Sequence, residues 1–358
     1  AGNVIDMGDD TQVQNSVTAS DIENITISTS HAFGANTSSA GDGGIAVDLV
    51  ADDVTTLTLK SSTFIDLTND VDGSSEGTAG QVSDTIQTIN ASEATGGVAL
   101  DLGGGADSGT NTLTAKSLSV ILGDGADTLS NVDADVNTST FTLGGGKDSF
   151  TLAGDFGTAG NVDSMEIDAG AGDDTINLRA SNTTAAEGEI EVTLGDGVDT
   201  VSLGTGDTSG TFAATIQSGV TITDFSAGPG GDRIDLIEAA TGSSSADRDE
   251  LAMGGSATDV SEVSDLATAT NTAVTIYDGN DLTTLDETGL FGAINEANVA
   301  ANDNFFIVAS DGSDTGIFQA FESGGTPGLA TGDVTLIGTL EGVGDATDLT
   351  ADNFTDFL

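Results

Sequence analysis

Leu122-Gly-Asp-Gly-Ala-Asp127-Thr128, Leu143-Gly-Gly-Gly-Lys-Asp148-Ser149, Ala169-Gly-Ala-Gly-Asp-Asp174-Thr175 and Leu194-Gly-Asp-Gly-Val-Asp199-Thr200 are four copies of one turn, G-x-G-x-D-[ST]. A fifth, Leu102-Gly-Gly-Gly-Ala-Asp107-Ser108, precedes them. The first glycines are Gly103, Gly123, Gly144, Gly170 and Gly195, so the spacings are 20, 21, 26 and 25 residues. A motif recurring at that period marks a solenoid, in which each repeat is a small unit that buries its inner face only by stacking on its neighbours.

Short β-forming segments flank the turns. Val98-Ala-Leu-Asp-Leu, Leu118-Ser-Val-Ile-Leu, Phe141-Thr-Leu, Met165-Glu-Ile-Asp and Ile190-Glu-Val-Thr-Leu precede them. Leu129-Ser, Phe150-Thr-Leu, Ile176-Asn-Leu and Val201-Ser-Leu follow four of the five. Apolar residues alternate with Thr, Ser, Asp or Asn, which buries one face of each strand. Two such strands and two turns make one coil of about 20 residues. The expected fold is all-β, a parallel β-solenoid of the β-helix or β-roll kind, followed by a β-rich C-terminal cap.

Glycine adopts backbone angles that other residues avoid, so it folds the chain sharply and aims carbonyl oxygens into the turn. The aspartate adds a carboxylate. Stacking sets these oxygens around a gap between coils, and a calcium ion takes six to eight of them. Without an ion, carboxylates stacked at about 4.8 Å repel one another. The other reading is a metal-free solenoid whose Gly-Asp turns serve only as bends.

Over residues 100–210 the chain resembles the RTX family, whose nonapeptide G-G-x-G-x-D-x-U-x binds calcium in a β-roll. Leu102, Leu122, Leu143, Ala169 and Leu194 stand where that family has its first glycine. The motif also recurs once per coil, which implies one glycine-rich edge and one calcium column. The resemblance implies Asp107, Asp127, Asp148, Asp174 and Asp199 as side-chain ligands. Carbonyls of Gly103, Gly105, Gly123, Gly125, Gly144, Gly146, Gly170, Gly172, Gly195 and Gly197 would complete the set, with Asp124 and Asp196 as further candidates. Val220-Thr-Ile-Thr-Asp224-Phe225-Ser-Ala-Gly228 and Asp232-Arg-Ile-Asp235-Leu236 look like the phrase that closes RTX arrays. There Asp224, Asp232 and Asp235 either hold another calcium or cap strand ends.

The expected divisions are 1–100, a less regular solenoid; 101–218, the calcium-binding roll; and 219–358, the cap with a type I secretion signal. In the first, Met7-Gly-Asp-Asp10-Thr11 is a degenerate turn. Ile22-Glu-Asn-Ile-Thr-Ile-Ser, Ile45-Ala-Val-Asp-Leu-Val, Leu57-Thr-Leu-Lys and Ile86-Gln-Thr-Ile alternate as strands. Their cadence is similar to that of alphaproteobacterial surface-layer proteins. His31 reads as a solvated loop residue. In the last division, Glu238–Ala269 and Leu285–Ala301 are expected to include short helices. Asn304-Phe-Phe-Ile-Val-Ala and Gly316-Ile-Phe-Gln-Ala-Phe read as paired strands, with Val334-Thr-Leu-Ile-Gly-Thr-Leu as another. The acidic end, Leu349–Leu358, resembles an uncleaved type I secretion signal.

Composition narrows the function. The 358 residues hold 59 Asp plus Glu against 6 Lys plus Arg, a formal charge of −53, with 37% hydrophobic residues. The carboxylates are dispersed among aliphatic residues, unlike a disordered acidic tail. With 0 Cys and 1 His there is no disulfide, thiol nucleophile or multi-imidazole zinc site. Nucleic acid and anionic membranes are poor partners for so acidic a chain, and no apolar run is long enough for a membrane helix. Ala1–Asp10 has no basic n-region and no apolar h-region, and the chain is expected to begin at a processing point or inside a longer precursor. H-E-x-x-H, G-x-S-x-G and G-x-x-x-x-G-K-[ST] do not occur, so no enzyme is expected.

The expected protein is a secreted calcium-dependent structural protein on the surface of a Gram-negative cell. It would be exported by type I machinery and self-assemble into a layer, sheet or filament, with cell-surface polysaccharide as a further partner. The competing expectations are an RTX adhesin, a secretion and folding module of a larger protein, and, more remotely, a polysaccharide-active β-helix enzyme.

Overall fold

The computed structural model describes residues 3–6, 15–19, 22–29, 45–51, 54–67, 86–102, 117–133, 138–153, 164–178, 188–203, 219–236, 260–263, 274–277, 282–293, 304–321 and 333–355. It is an all-β parallel solenoid. Its contacts divide it into two units, residues 1–177 with 195–197, and residues 178–194 with 198–358.

In the first unit the strands come in pairs, one pair to a coil. They are β1 (Asn3–Asp6) and β2 (Asn15–Ala19), β3 (Asn24–Thr29) and β4 (Ile45–Ala51), β5 (Thr56–Ser61) and β6 (Ile65–Leu67), and β7 (Thr88–Asn90) and β8 (Val98–Asp101). Then follow β9 (Leu118–Ile121) and β10 (Thr128–Asp133), β11 (Thr138–Thr142) and β12 (Ser149–Ala153), and β13 (Ser164–Asp168) and β14 (Thr175–Asn177). Odd-numbered strands stack in one sheet and even-numbered strands in the other. Pairing is parallel throughout, as in Ser139↔Leu118 and Phe150↔Ile176.

The alternation expected from sequence decides which side chains point inward. In β5 the buried residues are Leu57, Leu59 and Ser61, and in β11 Ser139 and Phe141. The core between the sheets includes Ile25, Ile27, Leu57, Leu59, Val120, Phe141 and Ile167 from one side and Ile65, Leu67, Leu100, Leu129, Phe150 and Ile176 from the other. Phe141 and Phe150 meet edge-on across it, centroids 5.1 Å apart and planes at 71°. Such a pair adds about 0.5–1.5 kcal/mol beyond area burial.

In the second unit β15 (Glu189–Thr193) and β17 (Val220–Ile222) share one sheet, and β16 (Thr200–Ser202) and β18 (Arg233–Asp235) the other. The chain then leaves the coil pattern through β19 (Val260–Val263), β20 (Val274–Tyr277), the helix α1 (Glu287–Ala293), β21 (Asn304–Ser310) and β22 (Thr315–Phe321). It returns in β23 (Val334–Leu340), parallel to β17, and β24 (Phe354–Thr355), parallel to β18. The expected strand pair β21–β22 is antiparallel, and β22 is antiparallel to β23. Leu290, Ile307, Phe318 and Ala320 pack with Tyr277, Leu282 and Val334 in a cluster of their own.

One expected helical region contains α1. The other, 238–269, is described only at 260–263, where it forms β19. Val260-Ser-Glu-Val pairs with Val274-Thr-Ile-Tyr, and β-branched residues favour a pleated, half-buried surface over a helix. The rest of that region, the degenerate turn at 7–11, and His31 lie outside the described residues.

Candidate metal centre

Four of the five repeated turns join an odd-numbered strand to the next even-numbered one. Gly170 (φ +95°) and Gly172 (φ +142°) show why glycine is needed there. Both occupy backbone conformations that strain other residues. Each also lies against the carbonyl oxygen of its counterpart one coil earlier, that of Gly144 and Gly146 respectively, where a Cβ would overlap it. Gly144 and Gly146 stand in the same way on Gly123 and Gly125, and Gly195 and Gly197 on Gly170 and Gly172. The turn backbones also bond to one another: Gly145 N–H donates to Gly123 O (2.8 Å), Ala171 N–H to Gly144 O (2.9 Å) and Asp196 N–H to Gly170 O (2.8 Å). Carbonyl oxygens therefore stack in columns along this edge.

Asp127, Asp148 and Asp174 stack beside them in the first unit. The carboxylates of Asp127, Asp148, Asp174 and Asp199 point inward, with at most 1% of each residue exposed. Oδ1 of Asp148 accepts the backbone N–H of Asp127 at 2.7 Å, and Oδ1 of Asp174 accepts that of Asp148 at 2.7 Å. Asp127 Oδ1 accepts from Val98 at 2.6 Å. In the second unit Asp232 Oδ1 accepts from Asp199 at 3.0 Å. These bonds use one oxygen of each carboxylate. The second oxygen, Oδ2, of Asp127 and of Asp148 is buried and accepts no hydrogen bond. Oδ2 of Asp174 and of Asp199 is equally buried.

A buried carboxylate oxygen with no donor is costly in its charged form. Burial pushes Asp127 from its ordinary 3.8 up to about 7, Asp148 up to about 8 and Asp174 up to about 6. At Asp148 the charges of Asp127 and Asp174 add to the effect. Either a proton or a cation relieves this cost. No group of three or more His, Cys, Asp or Glu side chains forms a metal cage among the described residues. The donor set on this edge is one carboxylate per turn with backbone carbonyls, hard oxygens that suit calcium.

The other candidate residues separate by position. Asp124 and Asp196 sit at the middle of their turns and are exposed. Gly103, Gly105 and Asp107 lie outside the described residues, but Leu102 follows β8, an even-numbered strand. The coil before Asp127 is instead turned by 91–97, and Val98 occupies the aspartate position (Thr128↔Ala99). Gly96-Gly97 before an apolar run was the sequence signal for it.

Asp232 continues the aspartate register of Asp199 (Thr200↔Arg233). Its Oδ2 accepts the N–H of Ser226 at 2.8 Å, so both oxygens are engaged by backbone donors. Burial still raises its pKa. Asp224 Oδ1 accepts from Leu194 N–H (2.8 Å), and Asp235 Oδ2 accepts from Ser202 Oγ (2.8 Å). Sequence reasoning missed Asn353, which is wholly buried. Its amide donates to Gly228 O (3.1 Å) and Asp232 O (2.8 Å), while its Oδ1 accepts from Gly228 N–H (2.9 Å) and Thr350 N–H (3.0 Å).

No family model, curated protein or solved structure matches the chain.

Proposed function

We propose that this is a calcium-dependent extracellular structural protein that assembles with copies of itself into a layer, sheet or filament after type I secretion. The observation that carries the reading is the buried, donorless Oδ2 of Asp127 and Asp148 beside columns of glycine carbonyls. Asp127, Asp148, Asp174 and Asp199, with those carbonyls, would hold the ions. Calcium there neutralises carboxylates that the fold otherwise buries at a cost.

The formal charge of −53 makes the dependence global as well as local. Self-repulsion expands the cation-free chain. Ion binding then becomes folding free energy, because the unfolded chain has no preformed site. A chain that folds only where calcium is abundant stays threadable inside the cell and stiffens outside it. A rigid solenoid with chemically repeating faces suits a structural role. Within it Asp224 and Asp235 are strand-end caps rather than ion ligands.

The test is direct. Purified protein is followed by circular dichroism and small-angle scattering in EGTA and in millimolar calcium, then imaged by electron microscopy. Calcium should convert an expanded chain into a compact β-structure that forms ordered sheets or fibres. The same compact β signature in excess EGTA would sink the calcium reading. Calcium-loaded particles that stay monomeric at every concentration would sink the structural one.

A further inference from the structure

The repeated turns differ at their two variable positions, one between the glycines and one just before the aspartate. Turns 123–128, 170–175 and 195–200 each place a second carboxylate at one of them, Asp124, Asp173 and Asp196 respectively. Turn 144–149 places none, and Gly145 and Lys147 fill the two positions. Three of these turns therefore carry a pair of carboxylates, the charge that one calcium ion balances, whereas the fourth carries one carboxylate and one ammonium. The chain holds only 6 Lys plus Arg against 59 Asp plus Glu, so a lysine on this edge stands out.

Register places Lys147 against the turn that follows it. Gly145 bridges to Ala171, Gly172 rests on the carbonyl oxygen of Gly146, and Ser149 pairs with Thr175. Between Gly146 and Ser149 the N–H of Asp148 donates to Oδ1 of Asp174, 26 residues on. The same offset makes Asp173 the counterpart of Lys147 one coil later. In the coil before, the counterpart is the uncharged Ala126 (Thr128↔Ser149). Stacked backbones lie about 4.8 Å apart, so the ammonium has its opposite charges on the side of Asp173 and Asp174. Lys147 and Asp173 are both exposed. The charge of Lys147 reaches the buried Asp174 carboxylate and offsets the repulsion from Asp173.

A fixed positive charge beside two carboxylates supplies part of what an ion supplies, and it repels an ion that approaches. From the turn composition and the register we infer that Lys147 is a resident counter-ion of the column and competes with calcium at the Asp173–Asp174 turn. The inference rests on the calcium reading above and names the side chain that tunes the ion affinity there. The ion held by Asp174 is then the weakest of the set and the first to leave as calcium falls. Solvent screens exposed charges, so the effect is several-fold rather than many orders of magnitude. One side chain thereby sets the calcium concentration at which the column is complete.

Equilibrium dialysis of the full chain against graded free calcium counts the bound ions, and circular dichroism of the same samples confirms the fold. Wild type should lose one ion while still folded. Lys147→Gln should hold that ion down to several-fold lower calcium, and Lys147→Asp, which gives this turn the second carboxylate of the others, lower still. Lys147→Arg keeps the charge and should match wild type. Gln87→Glu changes the net charge by the same amount as Lys147→Gln, at an exposed position just before β7 and away from the turn, and should leave the ion as in wild type. Release at wild-type calcium in Lys147→Gln and Lys147→Asp overturns the inference. So does an equal shift in Gln87→Glu, which would make the effect one of net charge, or a shift in Lys147→Arg, which would make it one of shape. Two failures stay distinguishable. A wild type that binds no calcium removes the calcium reading and the inference with it, whereas calcium binding indifferent to position 147 removes the role of Lys147 alone.

Discussion

The backbone N–H of Asp127 donates to Oδ1 of Asp148 at 2.7 Å across 21 residues of chain. The bond fixes each carboxylate against the coil before it and turns its other oxygen into the core. The carboxylate so serves as a structural acceptor and as an unsatisfied charge at once.

Replacing Asp148 with Asn keeps an acceptor for the Asp127 N–H and removes the charge. Without calcium the Asp148→Asn protein should be more stable than wild type at pH 8, by about 1–3 kcal/mol, the usual cost of an unsatisfied buried group. Its gain in stability on adding calcium should shrink. Urea unfolding in EGTA and in calcium reads both changes. A variant less stable than wild type in EGTA contradicts the account.

The pH dependence has a definite sign. Asp127, Asp148 and Asp174 have folded values of about 7, about 8 and about 6, raised above the ordinary 3.8 by burial. Stability contributed by a raised group is fully present below its unfolded value and is lost as pH rises through the folded one. The calcium-free protein should thus be more stable at pH 4 than at pH 9, with the loss running progressively from about pH 4 and complete by about pH 8. Protons compete with the ion, so calcium affinity should fall as pH drops through that same window. Isothermal titration at pH 5.5 and pH 8 checks the second half.

Gly172→Ala tests the carbonyl column. It forces a Cβ into a φ of +142° and against Gly146 O. A left-handed residue alone costs about 1–2 kcal/mol, and the overlap with fixed backbone adds to it. The calcium concentration at half-folding should rise markedly. The same change at Gly230, where a Cβ meets nothing within 4 Å, should show only the conformational part.

Asn353→Ala removes the amide that joins Gly228, Asp232 and Thr350. It leaves buried backbone groups unpaired, each costing about 1–3 kcal/mol. Hydrogen exchange should speed up in β18 and β24 first, with β9 to β12 much less affected. Uniform acceleration across the chain is the contrary result.

The solenoid was legible because its two signals are local. Alternation in segments such as Leu57-Thr-Leu and Phe141-Thr-Leu sets the inward face, and the repeated glycines set the bends. The aspartate column was legible for Asp127, Asp148 and Asp174, where spacing stays near one coil. It was not legible at its ends. At its start Val98, not an aspartate, holds the register of Asp127, which only the strand pairing reveals. Asp232 lies 33 residues beyond its partner Asp199, which hides the shared register. Asn353 was invisible because its partners lie 121 and 125 residues away. Val260-Ser-Glu-Val was ambiguous in isolation, and its neighbour β20 decided it.

Closing β24 onto β18 joins segments more than a hundred residues apart, whereas Asp127 and Asp148 meet across 21. Formation rates fall as the chain separation of contacting residues grows. Stacking of the middle turns should therefore run ahead, and the return of the tail should be the slow final phase. Stopped-flow mixing with calcium would then show two kinetic steps, and Asn353→Ala should change only the later one.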